Sequence, residues 1–337
     1  MAQHTQGNIA RRGEFVDRDL TLFSRIRIWG QLIRLPNLFI VLLTQYFIYY
    51  ILILPAYRAS SLAPQLDGPH FALLVLTTIL IAAGGYIIND IKDRHIDQKN
   101  RPDRLIIGPF ISLQTARMAY WLVGLGGLGI ALYLAIYIDN LPLVLLYPSA
   151  VFLLWWYSHQ LKRMPLWGNL IVSLFCAFVA GIVWFAERHG MAALLEQQPS
   201  LGMRTQAMLL TYLIFAFVST LYRELIKDME DIEGDRLYDC RTFPIAYGMS
   251  ISRRLAWGVG LSLLLFICAG MFVLWRLAWW ADWIFAAIAL VGPLIYSLVK
   301  LRNANSSEEF HHLSRWAKWL MLSGLLYLLF FYHHLNH

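Results

Sequence analysis

The chain has 337 residues, of which 58% are hydrophobic and only 15% charged, with a mean hydropathy of +0.53. That balance excludes an ordinary soluble domain, whose core needs far less apolar sequence, and indicates a polytopic membrane protein. A net charge of +7 would suggest a nucleic-acid partner for a soluble protein, but the basic residues here are distributed as membrane-flanking charges and no nucleic acid is expected.

Residues 1–34 are polar and basic without the apolar core of a cleaved signal, so they are expected to form a cytoplasmic segment and the first span to direct insertion. Residues 35–334 then read as one all-α transmembrane domain. Apolar runs long enough to cross about 30 Å of hydrocarbon occur nine times, near 35–55, 71–90, 115–136, 140–158, 166–186, 206–227, 254–275, 279–300 and 315–333. Short connections fall around Asp139 and Ala278 to Asp282. Ser60 to His70 reads as a short outer loop with Pro64, Gly68 and Pro69 as turn formers. Glu187 to Arg204 reads as the longest outer connection and carries no chemical motif.

Of the 28 Lys and Arg residues, 24 fall before the first span or in the loops after spans two, four, six and eight. Only Arg58, Arg188, Arg204 and Arg276 lie on the other side. The positive-inside rule therefore places the N-terminus in the cytoplasm of a cell bounded by this plasma (inner) membrane, and the C-terminus, with His333, His334 and His337, outside. Cys176 and Cys268 sit in apolar runs and Cys240 in a charged loop, so neither a disulfide framework nor a zinc spacing is present in the sequence.

Two motifs on the cytoplasmic side carry the chemistry. After the apolar run Phe71 to Ile88, the string GYIINDIKDRHID (Gly85 to Asp97) places Asn89, Asp93 and Asp97 at i, i+4 and i+8. On a continuing helix these form one stripe of oxygen donors about 6 Å apart. Carboxylates at the edge of a span are costly unless neutralised, and Mg²⁺, which completes its shell with water and substrate phosphate, suits such a stripe and a diphosphate ligand. The later string KDMEDIEGD (Lys227 to Asp235) repeats the spacing with Asp231 and Asp235 and adds Asp228. Two facing stripes imply two metals. Both Asp93 to Asp231 and Asp97 to Asp235 are 138 residues apart, a hint of internal duplication.

Arg34, Arg94, Arg101, Arg104, Lys162, Arg223 and Lys227 are candidates to bind phosphate oxygens, with positive-inside marking as the competing reading, and Glu224 is a candidate salt-bridge partner for Arg223. Tyr147, Trp155, Trp156, Tyr157 and Tyr222 suit either helix packing or an apolar tunnel able to stabilise a carbocation. His95 turns away from the stripe on a helix, and His311 and His312 read as surface residues. With a long isoprenoid attached to the diphosphate, these parts predict departure of diphosphate and capture of the resulting allylic cation by a nucleophile.

At these residues the chain resembles the UbiA superfamily of intramembrane prenyltransferases, which pair NxxxDxxxD with a later DxxxD. The resemblance implies a bundle of nine transmembrane helices around a central cavity, a prenyl diphosphate and a lipophilic acceptor as ligands, and Mg²⁺ held by Asn89, Asp93, Asp97, Asp231 and Asp235 with Asp228 adjoining. It places Arg34, Arg94, Lys162 and Lys227 in the basic part of the site. The strings RLPNL (Arg34 to Leu38), YSHQLKRMPLWGN (Tyr157 to Asn169) and RELIKDMEDIEGD (Arg223 to Asp235) followed by RTFPIAYG are similar to the geranylgeranylglycerol-phosphate geranylgeranyltransferase branch. The loop after the first motif departs from that branch: RLIIGP, Arg104 to Pro109, stands where RPIPSG is usual. The acceptor implied is a lipid-like or glycerol-phosphate hydroxyl, with ring alkylation in quinone synthesis as the alternative. A non-catalytic cation-binding transporter would call for polar or broken helices at mid-membrane, which these apolar runs lack. Prenyl chain length and oligomeric state are left open by the sequence.

Overall fold

The physical demand that a chain in hydrocarbon satisfies its own backbone groups selects helices, and each of the nine apolar runs is helical. The computed structural model describes residues 21–100, 105–237 and 240–336, and within them all side chains except those of 96, 97, 99, 100, 331 and 333–336. In chain order the helices are α1 (Leu22–Leu32), α2 (Leu35–Ala59), α3 (Gly68–Asn100), α4 (Leu113–Tyr137), α5 (Pro142–His159), α6 (Trp167–Ala186), α7 (Arg188–Gln197), α8 (Pro199–Glu230), α9 (Ile232–Arg236), α10 (Phe243–Tyr247), α11 (Met249–Arg276), α12 (Trp280–Asn303) and α13 (Ser307–Asn336). No strand occurs among the described residues.

Seven of these helices, α2, α3, α4, α6, α8, α11 and α12, are both long and apolar enough to cross a membrane. The other two expected spans, α5 and α13, are helical but diluted by Pro142, Pro148, Trp155, Trp156 and His159 in one and by Arg315, Lys318 and paired Trp residues in the other. Wide helical turns interrupt α2 at Ile48–Ile53 and α12 at Ala287–Val291, each just before a proline, Pro55 and Pro293. A proline ring collides with the carbonyl four residues back, and a wider turn relieves that collision without ending the helix. Where the sequence suggested short connections, Asp139 and Ala278 adopt the left-handed backbone (φ 49° and 57°) and turn the chain within a few residues.

One expectation fails. Glu187 to Arg204 is not an open outer connection: α7 and the first turns of α8 occupy it. Its organiser is Glu187, whose fully buried carboxylate accepts the N–H groups of Gln65 and Leu66 at 3.0 and 2.9 Å. The Tyr57 hydroxyl donates to the Glu187 carbonyl at 3.1 Å. An isolated Glu between polar loop residues carries no periodicity, so sequence alone does not mark it as buried.

Contacts divide the chain into two compact units. The first comprises the chain up to Val41 with Ala72–His159. Its packing rests on Leu32 of α1, Ile87 of α3, Ile107, Ile111 and Ala116, with Gly85 of α3 lying against Leu154 of α5. Gly127 of α4 lies under the Tyr147 ring of α5, whose hydroxyl donates to the Gly124 carbonyl at 2.9 Å. The second comprises Leu42–Phe71 and the chain from Gln160 onward. There α8 packs against α6, α11 and α13, burying Tyr222, Leu225, Ile226 and Met229 with Leu263 and Leu298. The Tyr222 hydroxyl pairs with Ser297 at 2.8 Å. Tyr147 and Tyr222 are therefore packing residues, whereas Trp155 and Trp156 are each 40% exposed. Large apolar side chains left outside, such as Leu122, Ile136 and Ile288, would be a liability in water and fit lipid contact.

Candidate functional site

In the first unit, α3 runs unbroken through the whole first motif, so Asn89, Asp93 and Asp97 share one helix as their spacing demands. The Asn89 amide donates to an Asp93 carboxylate oxygen at 2.9 Å. The Asp97 side chain lies outside the described residues, as do Arg101 and Arg104 altogether, so three of the expected groups have no contacts to report. Arg94 is half-buried and His95 exposed, consistent with a helix face turned away from the stripe.

Arg34 joins this motif from a distance in sequence. It forms the corner between α1 and α2 in the left-handed backbone (φ 52°). Its guanidinium lies 4.7 Å from the Tyr86 ring centroid and 3.4 Å from Asp90. The Asn37 amide donates to the Tyr86 hydroxyl at 3.2 Å. Asp90, Tyr86 and Asn37 were not singled out by spacing. Asp90 carried a signal nonetheless, being an acid at the end of an apolar run beside Asn89.

In the second unit the acidic motif is not one helix. The helix α8 ends at Glu230, Asp231 bridges to the short α9, and the Asp235 N–H donates to the Asp231 carbonyl at 3.0 Å, which preserves one turn between them. Asp228 stays on α8 and accepts the side-chain amide of Asn169, from the first turn of α6, at 2.9 Å. Asn169 was missed as a site residue, although a lone amide in the first turn of an otherwise apolar span was its available signal. A turn earlier on α8, Arg223 and Glu224 form a close, largely buried ion pair, as the sequence suggested. Lys227 is exposed.

Lys162 is half-buried in the tight turn Leu161–Arg163, and the Arg163 carbonyl accepts the Arg241 N–H at 2.9 Å. This ties the Lys162 turn to the segment after the second motif. His311 is not merely a surface residue: its Nδ1 lies 2.7 Å from Glu230, next to Asp231, while the Ser307 hydroxyl donates to the Glu230 carbonyl at 2.9 Å.

Each unit thus presents carboxylate and amide oxygens at the end of a long apolar helix, with guanidinium or ammonium groups nearby. No group of three or more His, Cys, Asp or Glu converges at metal-binding distance among the described residues. The donor chemistry nevertheless fits a hard cation, because the motif residues offer oxygen and neither thiolate nor imidazole.

Residues 47–322 match the UbiA prenyltransferase family. The digeranylgeranylglyceryl phosphate synthase of Methanopyrus kandleri is 31% identical over 254 residues, 75% of this chain and 84% of that protein. The protein of the same name from Methanoculleus marisnigri is 33% identical over 238 residues, 67% of this chain and 73% of its own length. Among solved structures, a digeranylgeranylglyceryl phosphate synthase superposes with a TM-score of 0.63 at 21% identity, covering 91% of this chain and 99% of that one. A UbiA homologue from Aeropyrum pernix K1 gives 0.54 at 17% identity, over 85% and 96%. One from Archaeoglobus fulgidus, bound to DMAPP and Mg²⁺, gives 0.51 at 14%, over 89% and 98%. At these identities the structures speak to the fold, and they share the all-helical architecture described above. The family match covers most of the chain, both motifs included, and so this multi-pass membrane protein belongs to the UbiA prenyltransferase family.

Proposed function

We propose that the chain transfers a prenyl group from a prenyl diphosphate to the hydroxyl of a lipid-like glycerol phosphate, with Mg²⁺ as cofactor. The observation that carries this reading is the pair of oxygen-donor motifs at the ends of α3 and α8, in a chain whose relatives over more than two thirds of their length are named digeranylgeranylglyceryl phosphate synthases. Asn89, Asp93 and Asp97 on one side and Asp228, Asp231 and Asp235 on the other would hold Mg²⁺. Bound there, the ion would neutralise the diphosphate as it leaves. That a homologue was solved with DMAPP and Mg²⁺ supports the assignment.

The chain's own groups do the rest. Arg34, Arg94, Arg104, Lys162, Arg223 and Lys227 bind and orient the phosphates, Arg through its planar fork and Lys as a point charge. Asn169 and Asn89 hold Asp228 and Asp93 in place through single amide hydrogen bonds. In the reaction the C1–O bond of the allylic diphosphate breaks and its electron pair leaves with the diphosphate. The acceptor oxygen then bonds to C1 and releases its proton to solvent. All nine helical runs would cross the plasma membrane around a central cavity, with the motifs cytoplasmic and the C-terminus outside, as the basic residues dictate.

The test is prenyl transfer in membranes, with radiolabelled prenyl diphosphates of several lengths, with and without Mg²⁺, offered geranylgeranylglycerol phosphate and aromatic acceptors in parallel. Metal-dependent transfer to the glycerol phosphate, lost in Asp93→Ala, is expected. Transfer to an aromatic ring instead would move the chain to the quinone-type branch. Absence of diphosphate release with every donor would remove the enzymatic reading.

A further inference from the structure

The helix α1 buries one face and leaves the other without a partner. Leu32 is fully buried with Ile87, Ile107 and Ile111, and Ile28, Trp29 and Ile33 pack against the same cluster. On its other side Leu22, Phe23 and Ile26 are 61–77% exposed. Because Arg34 turns the chain sharply, this second side meets the start of α2 across a groove of about 600 Å³. Its apolar walls are Phe23, Ile26, Leu35 and Pro36, and its cations are Arg27 and Arg34. The volume lies within the roughly 300–1,000 Å³ typical of small-molecule sites. Gly30 lines it as well, and a Cβ there would meet only Leu35, at an ordinary 3.7 Å.

The groove lining contains arginines and apolar side chains but no carboxylate. A diphosphate that travels with Mg²⁺ is matched to the acidic motifs, whereas cations without acids match a phosphate monoester that carries no metal. Apolar walls beside them match a single hydrocarbon chain. Arg34 belongs to both places, since it lines the groove and also stacks on Tyr86 and pairs with Asp90 one residue from the first motif. We propose that the groove between α1 and α2 is the docking site for the acceptor, a single-chain isoprenoid glycerol phosphate, with Arg27 as its phosphate contact and Arg34 as the link to the donor site. This rests on the acceptor chemistry proposed above and adds where that acceptor binds.

Steady-state kinetics in proteoliposomes, with geranylgeranylglycerol phosphate and geranylgeranyl diphosphate varied separately, test it. Arg27→Ala removes one charge-assisted contact, and Gly30→Leu fills the groove while favouring the helix. Each is expected to raise the acceptor KM about tenfold and leave the donor KM unchanged. Arg25→Ala deletes the same charge from the opposite side of α1 and is expected to leave both KM values as they were. A single-chain lysophosphatidic acid is expected to compete with the acceptor and a two-chain phosphatidic acid not to. Equal inhibition by the two lipids would make the groove a general phospholipid site and overturn the proposal. So would an unchanged acceptor KM in Arg27→Ala and Gly30→Leu, or an equal effect of Arg25→Ala. If the wild-type protein turns over no geranylgeranylglycerol phosphate at all, the acceptor chemistry itself has failed and the groove assignment goes with it. Normal wild-type turnover with unaltered variants removes the groove alone.

Discussion

The side-chain amide of Asn169, in the first turn of α6, donates to the carboxylate of Asp228, in the last turn of α8, at 2.9 Å. The two residues are 59 apart in sequence, and the antiparallel packing of their helices brings them together. This bond orients an acid that would otherwise sit at a span edge with nothing to fix it.

Replacing Asn169 with Ala is therefore expected to weaken prenyl transfer roughly 10–100-fold, the usual cost of losing the partner that orients a metal ligand. The loss should show mainly as a raised Mg²⁺ requirement. A Mg²⁺ titration of transfer activity separates this from misfolding, because an enzyme that recovers at high Mg²⁺ is folded. An unchanged Mg²⁺ dependence would show that Asn169 does not support metal binding.

Arg34 combines a left-handed backbone with two side-chain contacts, so backbone and side chain can be tested apart. Arg34→Gly relieves the backbone, while Arg34→Ala keeps its cost of about 1 kcal/mol or more. Thermal unfolding in detergent should rank Gly above Ala, and both should lose donor affinity alike. Arg34→Lys should also bind donor weakly, since an ammonium reproduces neither the fork nor the stack on Tyr86.

Gly324 of α13 sits where the Phe215 ring of α8 packs, and an added Cβ would penetrate the ring. Gly324→Ala is expected to destabilise by roughly 1–3 kcal/mol, the range for overpacking. Adding Phe215→Leu should restore part of the loss. Unfolding midpoints of the two single variants and the double variant give the coupling, and strict additivity would contradict the predicted contact.

The start of α13 carries a reciprocal cap. Glu309 accepts the N–H groups of Asn305 and Ser306 at 2.8 and 3.0 Å, while the Ser306 hydroxyl accepts the Glu309 N–H at 3.3 Å. Those backbone bonds from Asn305 and Ser306 hold the Glu309 carboxyl below its ordinary value. A depressed carboxyl contributes stability above its unfolded pKa and loses it as pH falls through the folded value. Glu309→Ala should thus lower the melting temperature at neutral pH, with the difference from wild type closing below about pH 4. A difference independent of pH would contradict this origin.

Much of this was legible in the sequence because membrane insertion is a one-dimensional problem. The length of an apolar run and the side on which Lys and Arg accumulate do not depend on which helices touch, so the nine helical runs, including α5 and α13, could be read directly. The i, i+4 spacing of Asn89 and Asp93 could be read for the same reason, since a helix makes those two residues neighbours by its own geometry. Local geometry does not reach further. That Asn169 meets Asp228, that Arg34 meets Asp90 and Tyr86, and that Glu187 closes over Gln65 and Leu66 each depend on helix packing between residues far apart in sequence. The break at Asp231 and the groove beside α1 depend on how the chain turns at single residues. The sequence by itself determined which segments are helical and which acids are available; the tertiary structure alone decided what each acid is paired with, because a buried polar group takes whatever partner packing brings within hydrogen-bond reach.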